Sequence, residues 1–239
     1  MARMVRVRGK YASTGQAERR ERILEETLRL LASMHPSDIS MDQIAEASGV
    51  STKTLYNLFQ SRNGLLLAAG ARTREGNESN PSVLGTQAGI PRIIALTRRA
   101  MDTFKDSPEF MESAVSLVLG ITAEEEAIYE RVGRTQQWFY EQLLIAESDG
   151  DLLPGTNCMQ LSQLLAASQW GCTLLWQKGL ISLTTLREQT LLKHCLDLTP
   201  YCTQKRKRWL EEIQTAIEST GDREAKAVVE NRRLAAVGY

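Results

Sequence analysis

The sequence predicts an all-α protein in two parts. Three observations predict it. Apolar residues recur at spacings of three and four along most of the chain, no segment alternates as a half-buried strand would, and the periodic runs are bounded by helix caps and by Pro or Gly stops.

Residues 1–16 carry Arg3, Arg6, Arg8 and Lys10, no acidic residue, and Gly9, Ser13, Thr14 and Gly15; they read as a flexible basic arm. From Ala17 the pattern is helical, with Ile23, Leu24, Thr27, Leu28, Leu31 and Met34 on one stripe, until His35-Pro36 stops it, because Pro disfavours helix in the residue before it. Ser40 and Gln43 have capping-box spacing for a short helix, Met41 to Ser48. Gly49-Val50 is the turn, and Ser51 the N-cap of a third helix, Thr52 to Phe59. Ser61 caps a fourth helix from Arg62 to about Glu75. Residues 76–89, GNESNPSVLGTQAG, form the expected boundary. Beyond it the pattern predicts helices Pro91–Lys105, Pro108–Leu119, Thr122–Glu147, Met159–Gly179, Thr184–Leu198 and Tyr201–Ser219. The division is thus a basic arm over 1–16, a head with its connecting helix over 17–76, a helical domain over 90–220, and a charged tail over 221–239.

Composition narrows the function. The chain has 239 residues, 42% hydrophobic and 24% charged, which suits a globular protein and excludes wholesale disorder. No run approaches the length of a membrane span, and the basic N-terminus has no apolar stretch behind it, so the expected location is the cytoplasm. Cys158, Cys172, Cys195 and Cys202 share no CxxC spacing and the only histidines are His35 and His194, so no zinc site is expected and the cysteines read as reduced, small apolar residues. With no His–carboxylate pair and no nucleophile elbow either, the chain reads as no enzyme and as needing no metal or cofactor. Glu124-Glu125-Glu126 suits the first turn of a helix, and Lys205-Arg206-Lys207-Arg208 a solvated helix start rather than a nucleic-acid patch. The net charge is zero, but residues 1–76 hold 12 basic and 8 acidic side chains while residues 77–200 hold 9 and 15. A basic front on an acidic middle points the front toward a polyanion.

The sharpest motif lies in that front. Ala45 is small where two short helices cross, Gly49 is free to take positive φ between them, and Leu55 points back into the crossing. Ala-x3-Gly-x5-Leu within two capped short helices is the helix-turn-helix pattern. At 100° per residue, with Thr52 at zero, Leu55, Leu58 and Phe59 fall near about 300°, 240° and 340°, while Lys53, Tyr56, Asn57 and Gln60 fall between about 40° and 140°. That outer face offers donors and acceptors without a carboxylate, which suits a helix in the major groove. Asn57 matches an adenine edge and Lys53 a guanine or a phosphate; Tyr56 and Thr52 suit phosphate oxygens.

The segments IAEASGVS (44–51) and TLYNLFQSRNGLL (54–66), within residues 19–68, resemble the DNA-binding domain of the TetR (tetracycline repressor-like) family. The resemblance covers about a fifth of the chain. It implies a three-helix DNA-binding head, a connecting helix, and a helical domain that binds a small ligand and dimerises. Carried over by position, Ser51, Thr52, Lys53, Thr54, Tyr56 and Asn57 are the DNA-contacting positions around the recognition helix, and Arg62 the basic position at the start of the fourth helix. The chain departs from the family pattern at His35-Pro36-Ser37-Asp38, where a Gly-aromatic step is usual, and at Gly64, where an acidic or polar residue is usual.

In the second part, Phe104, Met111, Tyr129, Trp138, Phe139, Trp170 and Trp176 supply large apolar groups for a hydrophobic or aromatic effector, although core filling is the plainer role for any one of them. Small residues Ala166, Ala167, Ser168 and Gly171 suit close helix approach, and by the resemblance this helix and Thr184–Leu198 form a homodimer interface. The expected protein is a ligand-responsive transcriptional repressor released by a small effector from a palindromic double-stranded DNA operator. A helical adaptor whose head meets protein partners is the alternative, distinguished by a lack of salt-dependent DNA binding.

Overall fold

The chain was analysed as a computed structural model, which describes residues 9–34, 38–119 and 125–219, side chains excepted at 9–14, 117 and 125–130. Its helices are α1 (Gly9–Leu31), α2 (Met41–Ala47), α3 (Thr52–Phe59), α4 (Arg62–Glu78), α5 (Pro81–Leu84), α6 (Ile90–Asp106), α7 (Pro108–Leu119), α8 (Glu125–Ser148), α9 (Cys158–Gln177) and α10 (Leu183–Leu198). A 3-10 turn, Thr199–Tyr201, leads into α11, residues 204–219. Among the described residues the only strand-like pairing is an isolated bridge between Leu152 and Cys202, and no helix is long and apolar enough to cross a membrane.

Two compact units divide the chain: residues 1–76 with 107–123, and residues 77–106 with 124–239. In the first, α1 presents the expected stripe, with Ile23, Leu24 and Leu31 buried against α2. Thr27, also on that stripe, is buried without cost because its hydroxyl donates to the Ile23 carbonyl at 2.7 Å. α1 begins at Gly9, so residues 9–16, read above as flexible arm, continue the helix instead. Nothing in them stops it: there is no proline, and each of Gly9 and Gly15 costs only about 1 kcal/mol relative to Ala. Residues 1–8, the stop at His35-Pro36 and the tail 221–239 lie outside the described residues.

The short helices are held by their caps. The Gln43 amide donates to Ser40 Oγ at 3.1 Å, and the Ser40 amide to Gln43 Oε1 at 2.7 Å, which completes the capping box. Gly49 takes φ 64°, and the Val50 amide returns to the Ala45 carbonyl at 2.9 Å, closing α2. Helix α7 clusters with this unit, not with the helical domain expected over 90–220. It buries Phe110, Met111, Ala114, Val115 and Val118, which gives it a core of its own to join wherever the chain leads next.

In the second unit α9 packs against α8 and α10, and α10 against α6. Ile93, Ile94, Phe139, Leu143, Leu165 and Leu198 lie at its centre, each contributing about 1.5–3 kcal/mol by burial. The stretch 76–89 is more ordered than its composition suggests: α4 runs on to Glu78, and the Asn80 side chain caps α5 with Pro81 in its first turn. The segment after α10 is clamped to the α8–α9 junction. The Leu153 amide donates to Tyr201 O at 2.8 Å, the Thr203 amide to Asp151 O at 2.9 Å, and the Arg206 guanidinium to Asp151 Oδ2 at 2.6 and 2.9 Å. Arg206 and Asp151 are only 12% and 14% exposed. The basic run thus starts a helix, as its amphipathic continuation suggests, with Lys205 and Arg208 outward and Arg206 turned in against Trp209.

Candidate nucleic-acid interface

Helix α3 has two faces, and local sequence accounts for both. Leu55 and Phe59 are buried and Leu58 half-buried, one turn apart on the inner side. Lys53, Tyr56, Asn57 and Gln60 are exposed on the outer side, Tyr56 at 49%. An aromatic half open to water with a hydroxyl tip suits contact with another molecule. Ser51 caps α3 by accepting from the Thr54 amide at 3.2 Å, and its hydroxyl also meets that of Thr54 at 2.9 Å. Lys53, Tyr56 and Asn57 have no hydrogen bond or ion pair within the described residues, so their polar groups are available to a partner.

The sequence-predicted positions therefore fall into two groups. Ser51, Lys53, Tyr56 and Asn57 are exposed on or beside the outer face, whereas Thr52 and Thr54 are half-buried. Arg62 is half-buried as well, its Nε 3.4 Å from the Ile39 carbonyl. Asp42 was missed. Its Oδ1 accepts the Thr52 hydroxyl at 2.8 Å from ten residues away, so a carboxylate of α2 borders a face that contains none of its own. No spacing rule within one helix would point to it.

The α3–α4 corner fixes how this face is carried. Gln60 takes φ 63°, the only positive φ among the described non-glycine residues. Ser61 then caps α4 by accepting from the Gly64 amide at 3.0 Å. A Cβ on Gly64 would overlap the carbonyl oxygen of Phe59, so the departure from the usual polar residue here is steric: only glycine lets α4 start this close to the end of α3. The guanidinium of Arg20 lies 5.1 Å over the Phe59 ring from the outside of α1.

The expected effector residues are distributed more widely. Phe104 and Trp176 meet edge to face at 5.2 Å, and Trp138, Phe139 and His194 form a second aromatic group, with ring centroids 5.7 and 5.2 Å apart. Trp170, on α9, has a buried indole N–H without a partner. Met111 lies in the first unit, and the side chain of Tyr129 lies outside the described residues. His194 is fully buried: Nε2 is 3.1 Å from the Leu165 carbonyl and Nδ1 2.9 Å from Thr97 Oγ1. A carbonyl only accepts, so the neutral ring carries its proton on Nε2, while the single Thr97 hydroxyl proton is shared between Nδ1 and the Ile93 carbonyl, 2.8 Å away on the other side. Burial pushes the pKa of His194 down to about 4, against the smaller opposing effect of the Leu165 carbonyl. Burial likewise pushes Cys195 and Cys202 up to about 12 and raises Cys158 and Cys172, so these free thiols stay protonated and inert at neutral pH.

On α9, Leu164, Ala167, Gly171, Leu174 and Leu175 are exposed along one side, and Leu196 is exposed on the neighbouring α10. A small-and-leucine surface of this kind lacks the charged cover of a solvated helix.

Comparison with known proteins agrees with the head. Residues 23–69 match the model of the bacterial regulatory proteins of the tetR family. The chain is 27% identical over 192 residues to the HTH-type transcriptional repressor KstR of Rhodococcus jostii, covering 79% of this chain and 84% of the relative. It is 31% identical over 90 residues to an uncharacterised HTH-type transcriptional regulator of Mycobacterium tuberculosis, covering 37% of this chain and 45% of that one. Two solved structures share the fold. A TetR transcriptional regulator from Rhodococcus sp. RHA1 gives a TM-score of 0.57 at 18% identity, over 77% of this chain and 98% of its own. A TetR-family regulator from Mesorhizobium loti gives 0.55 at 16% identity, over 79% and 98%.

Proposed function

We propose that this chain, which belongs through its head to the tetR family of transcription regulators, is a homodimeric repressor that leaves a palindromic operator when a small hydrophobic effector binds. The observation that carries the reading is the outer face of α3: Lys53, Tyr56, Asn57 and Gln60 stand exposed on a helix whose other side is locked into the head. An α-helix fits the major groove, where amide and ammonium groups meet base edges and phosphates, and where a carboxylate would be repelled.

One head reaches only a few base pairs, so a second copy is needed to read a site; two heads about 34–36 Å apart would address successive major grooves. The apolar side of α9 with Leu196 of α10 supports a second copy as its cover, since α9 and α10 already pack as a pair whose outer surface is exposed among the described residues. The repressor KstR, similar over most of its length, supports the sign of regulation. Phe104, Trp176 and the unpaired Trp170 indole support an effector with a large apolar body and a hydrogen-bond acceptor. Such a ligand acts only by binding one spacing of the heads better than another. The place of action is the cytoplasm, with the DNA.

The test is selection of the full-length protein on a random-sequence duplex library, followed by binding of the recovered duplex to Lys53→Ala and Tyr56→Ala. Each variant should lose about ten-fold or more in affinity, with its unfolding midpoint unchanged. If both bind as the wild type does, the recognition face lies elsewhere.

A further inference from the structure

The chemistry that borders the α3 face is not accounted for by the face itself. Asp42 stands in the first turn of α2, where an acidic side chain favours the helix end but repels nearby phosphate. Its carboxylate is exposed, yet it holds the Thr52 hydroxyl at 2.8 Å across the helix-turn-helix corner. Thr52 has one hydroxyl proton, and that proton is spent on Asp42. Next to it the hydroxyls of Ser51 and Thr54 meet at 2.9 Å, one donating to the other.

We propose that Asp42 is a positioning residue of the DNA-binding face: by accepting the Thr52 hydroxyl it fixes the first turn of α3, withdraws Thr52 from the duplex, and leaves contact with the duplex to Lys53, Tyr56 and Asn57. This rests on the DNA-binding reading above. Helix α3 has only eight residues and is held by Leu55 and Phe59 on one side, which resists lifting more than rolling about its own axis. A side-chain tip about 5–6 Å from a helix axis moves about 2 Å when the helix rolls by about 20°. That displacement is enough to break a hydrogen bond to a base edge. The Asp42–Thr52 bond joins α2 to α3 off that axis and opposes the roll. An Asn at position 42 would accept the same proton without the charge.

The test uses the full-length protein and two duplexes, one recovered from the random-sequence library by the wild type and one with that sequence scrambled. The ratio of the two affinities is read, because lost charge shifts both affinities while lost positioning shifts only their ratio. Asp42→Ala and Thr52→Val should each lower the ratio about ten-fold, and the double variant no further, since the two residues act as one unit. Asp42→Asn and Thr52→Ser should keep the ratio within about three-fold, while Asp42→Asn also binds the scrambled duplex more tightly. Each substitution should lower the folding equilibrium constant no more than about five-fold, or about 1 kcal/mol of stability, the share of a surface helix-end charge and one hydrogen bond. The proposal is overturned if Asp42→Ala keeps the wild-type ratio, if Thr52→Val alone loses it (Thr52 then touches DNA itself), or if the two losses multiply. If the wild type recovers no duplex at all, the DNA-binding reading falls first, and visibly so, before any variant is compared.

Discussion

Replacing His194 by Gln should remove an acid sensitivity from the second unit. In the folded protein the ring is buried between Leu165 O and Thr97 Oγ1, against the edge of Phe139, with a pKa of about 4 in place of 6.5. A histidine held neutral contributes its full stability above the unfolded value. That contribution falls as pH drops from 6.5 toward 4, because the unfolded chain takes up the proton first. The gap corresponds to about 3 kcal/mol at its limit and about 2 kcal/mol near pH 5. The chain's four tryptophans, Trp138, Trp170, Trp176 and Trp209, all lie in this unit, so their fluorescence in urea reports its unfolding. Between about pH 7.5 and 5 the wild-type midpoint should fall by roughly 1 M urea beyond that of His194→Gln. Gln can donate to Leu165 O but does not titrate, and the carboxylates common to both proteins cancel in the comparison. Equal losses in the two proteins would refute the reasoning.

Gly64→Ala should lower the thermal midpoint of the head and cost about 1–3 kcal/mol, because the new methyl group overlaps the Phe59 carbonyl; far-ultraviolet circular dichroism of the heated chain measures it. Gln60→Gly, at φ 63°, should act in the opposite direction by up to about 1 kcal/mol in the same assay. Arg206→Ala and Asp151→Ala should each destabilise the second unit by about 2–3 kcal/mol in urea, and the double variant hardly more than either single one. Leu174→Glu with Leu175→Glu should leave a folded monomer in light scattering at a concentration where the wild type runs as a dimer.

What could be read in advance was what is local. The Ser40–Gln43 box, the Gly49 turn and the Leu55–Phe59 side of α3 each depend on residues within one or two turns, and each takes the expected form. The remaining features depend on partners distant in sequence. Asp42 meets Thr52 because of the angle between two helices, and His194 meets Leu165 and Thr97 from two other elements. The Phe110-to-Val118 face of α7 is visible as apolar, but periodicity does not say which core receives it. α5 was hidden for a different reason: its Asn80 cap and Pro81 start are local signals, outweighed by Gly and Ser on either side when the stretch is taken as composition alone.

On the proposed reading, the side chains with which α3 meets the duplex lie between residues 53 and 57, about 6 Å along a helix axis, or roughly the length of two base pairs. So short a word recurs throughout any genome, and most of its occurrences are meaningless. Discrimination then has to come from geometry: two such words at one fixed separation and in opposite orientation are rare where either alone is common. On the same reading, a dimer built this way would need little vocabulary, and it would be silenced without altering a single letter it recognises, simply by changing the distance between its two readers.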